Sequence, residues 1–525
     1  MTHQDRQHRG VEARLRFRPA AESLEARLVL SASSLTVGMD ATANGMVGKV
    51  ATAHVLTIAG QAPPNASVKV AVGRSTSATY ADASGHYQVQ MAMAEGTYQV
   101  QVRSVNRSGH TARAEMTATM GDSVLAWDAV MLRVIQADAG NVGLASRTMA
   151  MVSGAVYDAV NDIERTGSVY KVDVAAPGRA SSSAAASEAA YVVLSALDPS
   201  MQPTLDQALA ESLAAIPSGT SRDDGVAVGR QVSQGILAWR ANDGSQVTVP
   251  YVPGTAPGQW RPTPPTYQKA WGPEWSGVAS FGVTRPVSDY LAPPPPALNS
   301  KAYAAALNQV KSLGALHSKT RTADQTQAGD FWAYDSLNTG TPPVHYDQIA
   351  ATIALQQHNT MTQNARMFGL VNVAMGDAGI AAWDAKYTYN VWRPITAIRL
   401  ASTDGNPATV GDPTWNPLGA PGAPGQPNFT PPFPGYVSGH ATFGAALFTT
   451  LAEFYGTDKV RFTIGSDQTP GVARTYSSFS QASLENAWSR VYLGIHFWFD
   501  ETAGISSGSA VARNVFQNVM TPLTT

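Results

Sequence analysis

An arginine, a histidine and an aspartate share one apolar run, SRVYLGIHFWFD at 489–500, with Arg490 six residues before His496 and Asp500 four residues after it. Four residues is about one helical turn, so Asp500 can accept an imidazole N–H of His496 and fix its tautomer. Six residues is about 240° around an unbroken helix, so Arg490 and His496 can face one ligand only if the helix breaks between them. Gly494 is the expected break, with a new helix starting near His496. Taken alone the run reads equally well as core, with Arg490 reaching solvent, His496 a satisfied buried histidine and Asp500 a cap.

Two other segments offer partners. In PGYVSGHATFGAALFTTLAEFYG, Ser438 is a good N-cap, and the apolar run from Ala441 to Tyr455 stops at Gly456. The N–H groups of Gly439 and His440 then point out of a helix N-terminus, where an anion is favoured, and His440 stands beside it. In WDAKYTYNVWRP at 383–394, Lys386 and Arg393 are seven residues apart. On a continuous helix they share a face, but Thr388, Val391 and Pro394 argue against one. Together the three segments supply donors from several directions to an oxoanion, from Lys386, Arg393, Arg490 and the Gly439 N–H. His496 can approach along the remaining axis, leaving His440 as general acid or base.

The order Lys-x6-Arg-Pro, Ser-Gly-His, Ser-Arg-x5-His-x3-Asp resembles the three-part signature of the superfamily joining type-2 phosphatidic acid phosphatases, bacterial acid phosphatases and vanadium-dependent haloperoxidases. Along residues 121 to 520 the chain resembles the haloperoxidase branch, through AMVSGAVYDAVNDI (150–163), PGQWRPTPP (257–265), FWAYD (331–335) and TPPVHYDQIA (341–350). That resemblance implies vanadate as cofactor, with His496 its protein ligand and Lys386, Arg393, Ser438, Gly439 and Arg490 around its oxygens. It also implies hydrogen peroxide, halide and a small organic molecule as partners, His440 assisting proton transfer, and Lys386 polarising the peroxide. Trp383 and Phe433 fall at the positions of the halide pocket, in a pattern closer to chloroperoxidases than to algal bromoperoxidases. Phosphate would fit the same cradle, and the alternative is an acid phosphatase with a phosphohistidine at His496. The chain departs from the usual Pro-Ser-Gly-His by carrying Val437 before Ser438, which leaves turnover less secure than binding. Asp324, Asp330 and Asp335 are the candidate partners of Arg490. His317, His345 and His358 match no motif and read as structural.

The elements that must position these residues follow from the rest of the chain. Its 525 residues, 44% hydrophobic, exceed one ordinary domain. From 35 to 120 the pattern has period two, as in SVKVAV, HYQVQM and YQVQVRSV, with turn signals between the runs. This predicts a small all-β sandwich resembling a bacterial immunoglobulin-like module, with His54, His86 and His110 as surface or strand residues. From 121 to 525 helix-spaced apolar stripes dominate, so the fold is mainly α: a large helical bundle preceded by the sandwich. Two irregular passages interrupt it, at 247–297 and at Asp404–Pro434, the second with nine prolines. Passages so long are linkers or functional loops.

A net charge of −2 gives no field for nucleic acid. The absence of cysteine removes disulfides and thiolate sites. No uninterrupted apolar run reaches membrane-spanning length. Residues 1–34 hold ESLEARLVLSAS, similar to a short signature of exported and surface bacterial proteins, so export to the cell envelope or beyond is expected. If the β-module carried the function instead, the protein would be an envelope attachment factor with an inactive helical domain.

Overall fold

The computed structural model describes residues 35–39, 50–51, 55–93, 96–137, 141–335, 339–423 and 425–523. The expected targeting segment at 1–34 and His54 lie outside them. The first region forms eight strands: β1 (Gly38–Met39), β2 (Val50–Ala51), β3 (Val55–Gln61), β4 (Ser67–Val72), β5 (Ser75–Tyr80), β6 (His86–Ala92), β7 (Gly96–Val105) and β8 (Thr111–Met120). They make two sheets, ordered β1-β3-β6 and β2-β8-β7-β4-β5, antiparallel except where β2 joins β8. Period-two burial is visible in β4, where Val68, Val70 and Val72 are buried and Ser67 and Lys69 exposed. These valines join Leu56, Ile58, Val100 and Val102 in a core separate from that of the helices. His86 and His110 are exposed, as expected.

Helices follow directly: α1 (Ser123–Ala137), α2 (Val142–Glu164), α3 (Ser182–Leu197), α4 (Gln202–Ala214), α5 (Thr220–Arg240), α6 (Lys301–Leu313), α7 (Ala323–Phe331), α8 (Pro342–Gln356), α9 (Met361–Tyr389), α10 (Pro394–Arg399), α11 (Gly439–Tyr455), α12 (Phe479–Tyr492) and α13 (Trp498–Asn518). A short hairpin, β9 (Phe462–Gly465) with β10 (Ala473–Tyr476), lies between α11 and α12. The long α9 is buried through most of its middle, and α2, α11 and α13 pack around it. No helix among the described residues is long and apolar enough to cross a membrane.

The irregular passages are fastened to this bundle, so they are not linkers. Asp377, buried in α9, accepts the N–H groups of Phe281 (2.6 Å), Gly282 (2.8 Å) and Val283 (2.8 Å). The second passage is held through the Trp415 carbonyl, which accepts Arg399 Nε of α10 at 2.9 Å, and Asp158 of α2 fastens the α2–α3 loop in the same way at Tyr170, Lys171 and Val172. Loops lacking their own hydrogen-bond ladders must find acceptors elsewhere, and a buried carboxylate supplies several at once. Asp377→Ala strands three N–H groups, at about 1–3 kcal/mol for each one left buried without water. It is expected to lower stability by at least about 3 kcal/mol, read as a shift in the denaturation midpoint.

Candidate functional site

Lys386 lies in the last turn of α9, which ends at Asn390 in the left-handed conformation, φ 50°. The chain then turns through Trp392, and Arg393 becomes the N-cap residue of α10 with Pro394 in its first turn. The two cations therefore sit on different elements, as Pro394 and the β-branched residues foretold. Ser438 caps α11 by accepting the Ala441 N–H at 3.3 Å, and Gly456, φ 66°, closes it. Gly439 and His440 hold the first two helical positions, whose N–H groups have no partner within the helix.

Arg490 lies in the last turn of α12, and the chain breaks before α13 at Gly494, φ 74°. A Cβ at Gly494 would stand 2.3 Å from the Gly314 carbonyl oxygen, so both its conformation and its neighbour require glycine. Past this break His496 turns back, and its Nδ1 meets the Asp500 carboxylate at 3.0 Å. Asp500 also accepts the Phe497 N–H, and its backbone carbonyl accepts the Ser438 N–H, both at 3.0 Å, which joins the start of α13 to the start of α11.

The tautomer of His496 follows from its partners. Arg393 Nη1 lies 2.8 Å from His496 Nε2 and a guanidinium cannot accept, so Nε2 is the lone-pair nitrogen and Nδ1–H donates to Asp500. Burial, then the charges of Arg393 and Lys386, hold the imidazole well below its usual pKa, favouring the neutral form. His440 Nε2 donates to the Ala333 carbonyl at 2.8 Å, leaving Nδ1 as its basic nitrogen. Burial and the Arg490 charge lower this pKa as well, which favours the neutral imidazole with its lone pair on Nδ1.

Asp335 is the partner of Arg490, accepting Nη2 at 2.8 Å, and lies 3.9 Å from His440 Nε2. Asp324 pairs with Arg474 instead, and Asp330 faces Arg321. Tyr334, next to Asp335 in the chain, is stacked on His345 with centroids 4.2 Å apart, while His345 Nε2 bonds the Gly465 carbonyl at 3.1 Å. His345 is structural, as expected. Burial lowers its pKa to about 4, from about 6.5 unfolded. The unfolded chain thus binds the extra proton between those values, and stability falls as pH drops from 6.5 towards 4, by up to about 3 kcal/mol. Denaturation midpoints measured across this window check the slope, which should shrink in His345→Asn.

The cations divide into two kinds. Sequence reasoning expected all three to face an anion, but Lys386 Nζ donates to the carbonyls of Pro434 (3.0 Å), Gly435 (3.2 Å) and Val437. Arg393 donates to Pro431 and Phe433 as well as Ile495. Both charges lie beneath the 431–437 turn, with most of their N–H groups engaged by carbonyls and one Arg393 N–H on His496 Nε2. Arg490 differs: its Nε and Nη1 are buried with no acceptor. A buried guanidinium with two unpaired donors beside a helix N-terminus and a histidine lone pair fits an oxoanion. Among the described residues no group of three His, Cys, Asp or Glu side chains could hold a bare metal ion.

Trp383 and Phe433, expected as a halide pocket, lie 5.2 Å apart between ring centroids, and Lys386 Nζ is 5.6 Å and 4.9 Å from the two rings. Both line a cavity of about 640 Å³ that also reaches Gly439, His440, Arg490 and His496. Two residues went unread in the sequence. Trp271, from the first Pro-rich passage, walls this cavity. Glu501, next to Asp500, is fully buried, and burial and the Asp500 charge push its pKa well up, with the Ser438 hydroxyl acting in the opposite direction.

Comparison with known proteins gives a consistent picture. A family described as the VCPO second helical-bundle domain matches residues 366–525. The chain is 35% identical to "Vanadium chloroperoxidase" of Curvularia inaequalis over 41% of this chain, and spans 44% of the length of that curated relative. The crystal structure of the first bacterial vanadium-dependent iodoperoxidase is similar at a TM-score of 0.65 and 25% identity, covering 77% of this chain and 97% of that one. A holo-type bacterial vanadium-dependent chloroperoxidase shares the fold at a TM-score of 0.56 and 18% identity, over 72% of this chain and 91% of its own.

Proposed function

We propose, on the premise that the chain belongs to the vanadium-dependent haloperoxidase family, that it is a vanadate-dependent haloperoxidase using hydrogen peroxide to oxidise a halide that halogenates organic molecules. The observation that carries this reading is the pair formed by Arg490, with two buried unpaired donors, and His496, with its lone pair fixed on Nε2. Vanadate, when bound, supplies a Lewis acid that activates peroxide for two-electron oxidation of halide. His496 would be its protein ligand through Nε2, and Arg490, Ser438 and the Gly439 N–H would hold its oxygens, with Lys386 and Arg393 adding charge from beneath.

Asp500 keeps the His496 tautomer, and His440 Nδ1 takes the proton that the incoming peroxide gives up. Trp383 and Phe433 exclude water around the halide, which strengthens every charge in the cradle. On the sequence resemblance alone, the halide would be chloride or bromide. The 35–120 unit would be an immunoglobulin-like spacer on an exported protein.

Protein reconstituted with orthovanadate should halogenate monochlorodimedone only when peroxide and halide are both present. Equal activity without vanadate would sink the reading. Efficient hydrolysis of phosphate esters by vanadate-free protein, with no halogenation after loading, would select the phosphohistidine alternative at His496.

A further inference from the structure

The cavity above the cradle is far larger than peroxide and halide require. Its volume is about 640 Å³, where a water takes roughly 30 Å³ and pockets for drug-sized ligands run to about 300–1,000 Å³. Its inner end is polar, with His440, Arg490 and His496, and its middle is walled by Trp271, Trp383, Phe433 and Phe443. Trp271 meets Trp383 edge to face at 5.0 Å and 79°, and meets Phe433 at 6.4 Å and 70°. Rings set at such angles offer both faces and edges, so a flat aromatic guest gains stacked and edge contacts at once, beyond what area burial alone supplies.

The wall is fixed in advance. Trp271 N–H donates to the Pro432 carbonyl at 2.9 Å, and the Trp271 carbonyl accepts the Tyr387 hydroxyl, which ties both irregular passages to α9. A guest pays little ordering cost in a preformed cavity. At the mouth Gln268 and Lys269 are exposed, so the cavity opens to solvent on the side away from the cradle.

We propose that this cavity binds a planar, largely apolar aromatic molecule, so that halogen is transferred to a bound ring rather than to solutes outside; the proposal rests on the haloperoxidase reading. The balance is Ar–H + X⁻ + H₂O₂ + H⁺ → Ar–X + 2 H₂O. A C–H bond breaks and a C–X bond forms; the halide gives two electrons to the O–O bond, and both oxygens leave as water.

The test uses 1-naphthol, whose C2 and C4 positions report geometry. Vanadate-free protein titrated calorimetrically should bind it saturably at one site, and Trp271→Ala should weaken binding at least about ten-fold. Vanadate-loaded wild type with bromide and peroxide should give a 2-bromo to 4-bromo ratio at least three-fold different from reagent hypobromous acid at the same pH. Trp271→Ala, checked for an unchanged melting profile, should move that ratio towards the reagent's; the wild-type ratio stands even if the variant misfolds. Peroxide consumption with a reagent-like ratio, or no saturable binding, overturns the proposal alone. Saturable binding with no halide-dependent peroxide consumption overturns the haloperoxidase reading and the proposal with it.

Discussion

His496→Ala should abolish vanadate-dependent halogenation and weaken vanadate binding beyond the range of a direct titration. The imidazole carries its lone pair on Nε2, which accepts from Arg393 at 2.8 Å, while Nδ1–H donates to Asp500 at 3.0 Å, so a ligand on Nε2 takes the place of the Arg393 bond. Losing a single oriented oxyanion donor commonly costs 10²–10³ in rate, and loss of the coordinating atom should cost at least about 10³. Asp500→Asn separates orientation from ligation. An amide still fills the space but does not enforce Nδ1–H, and disturbing such a ligand's partner typically costs about 10–100-fold in affinity. Binding measured by displacement of phosphate reads both variants, and unchanged affinity in His496→Ala would remove His496 from the site.

Arg490→Gln is the second large effect. The side chain is fully buried, its Nη2 pairs with Asp335 at 2.8 Å, and Nε and Nη1 have no acceptor in the protein. Two charge-assisted bonds to an oxoanion, at about 1.5–3 kcal/mol each, correspond to roughly 10²–10⁴ in Kd. The variant also leaves the Asp335 carboxylate without its cation, so its melting temperature should fall as well. Adding Asp335→Asn removes that orphaned charge: Arg490→Gln/Asp335→Asn should recover the melting temperature and leave the affinity lost. Recovery of vanadate or phosphate affinity in the double variant would mean that Arg490 serves packing rather than the anion.

Features governed by local geometry were legible in the sequence. The Ser438 cap, the Gly494 break and the four-residue step from His496 to Asp500 depend only on neighbours within a turn or two, and each stands where the spacing put it. Choosing Asp335 over Asp324 and Asp330 required knowing how a segment 155 residues away packs, and no local pattern carries that. The commitment of Lys386 and Arg393 to carbonyls was also missed, although a signal existed. Nine prolines in 404–434 contribute carbonyls without N–H groups, so acceptors outnumber donors there and must draw donors from outside. Cations buried beneath the 431–437 turn supply them. Glu501 gave no signal, because an acidic residue in the first turn of a helix is ordinarily a solvated dipole partner.

The two irregular passages meet where Trp271 bonds Pro432, over a cradle whose own side chains come from α9, α11, α12 and α13 or the short turns that follow α9 and Gly494. Trp271 and Phe433 thus wall the cavity from chain that contributes no side chain to the cradle, while Trp383 and Phe443 come from α9 and α11 themselves. Side chains at positions 268–271 and 429–433 can therefore be diversified as a combinatorial library with α9, α11, α12 and α13 left unchanged, which separates the shape of the cavity's outer wall from the register of the cradle.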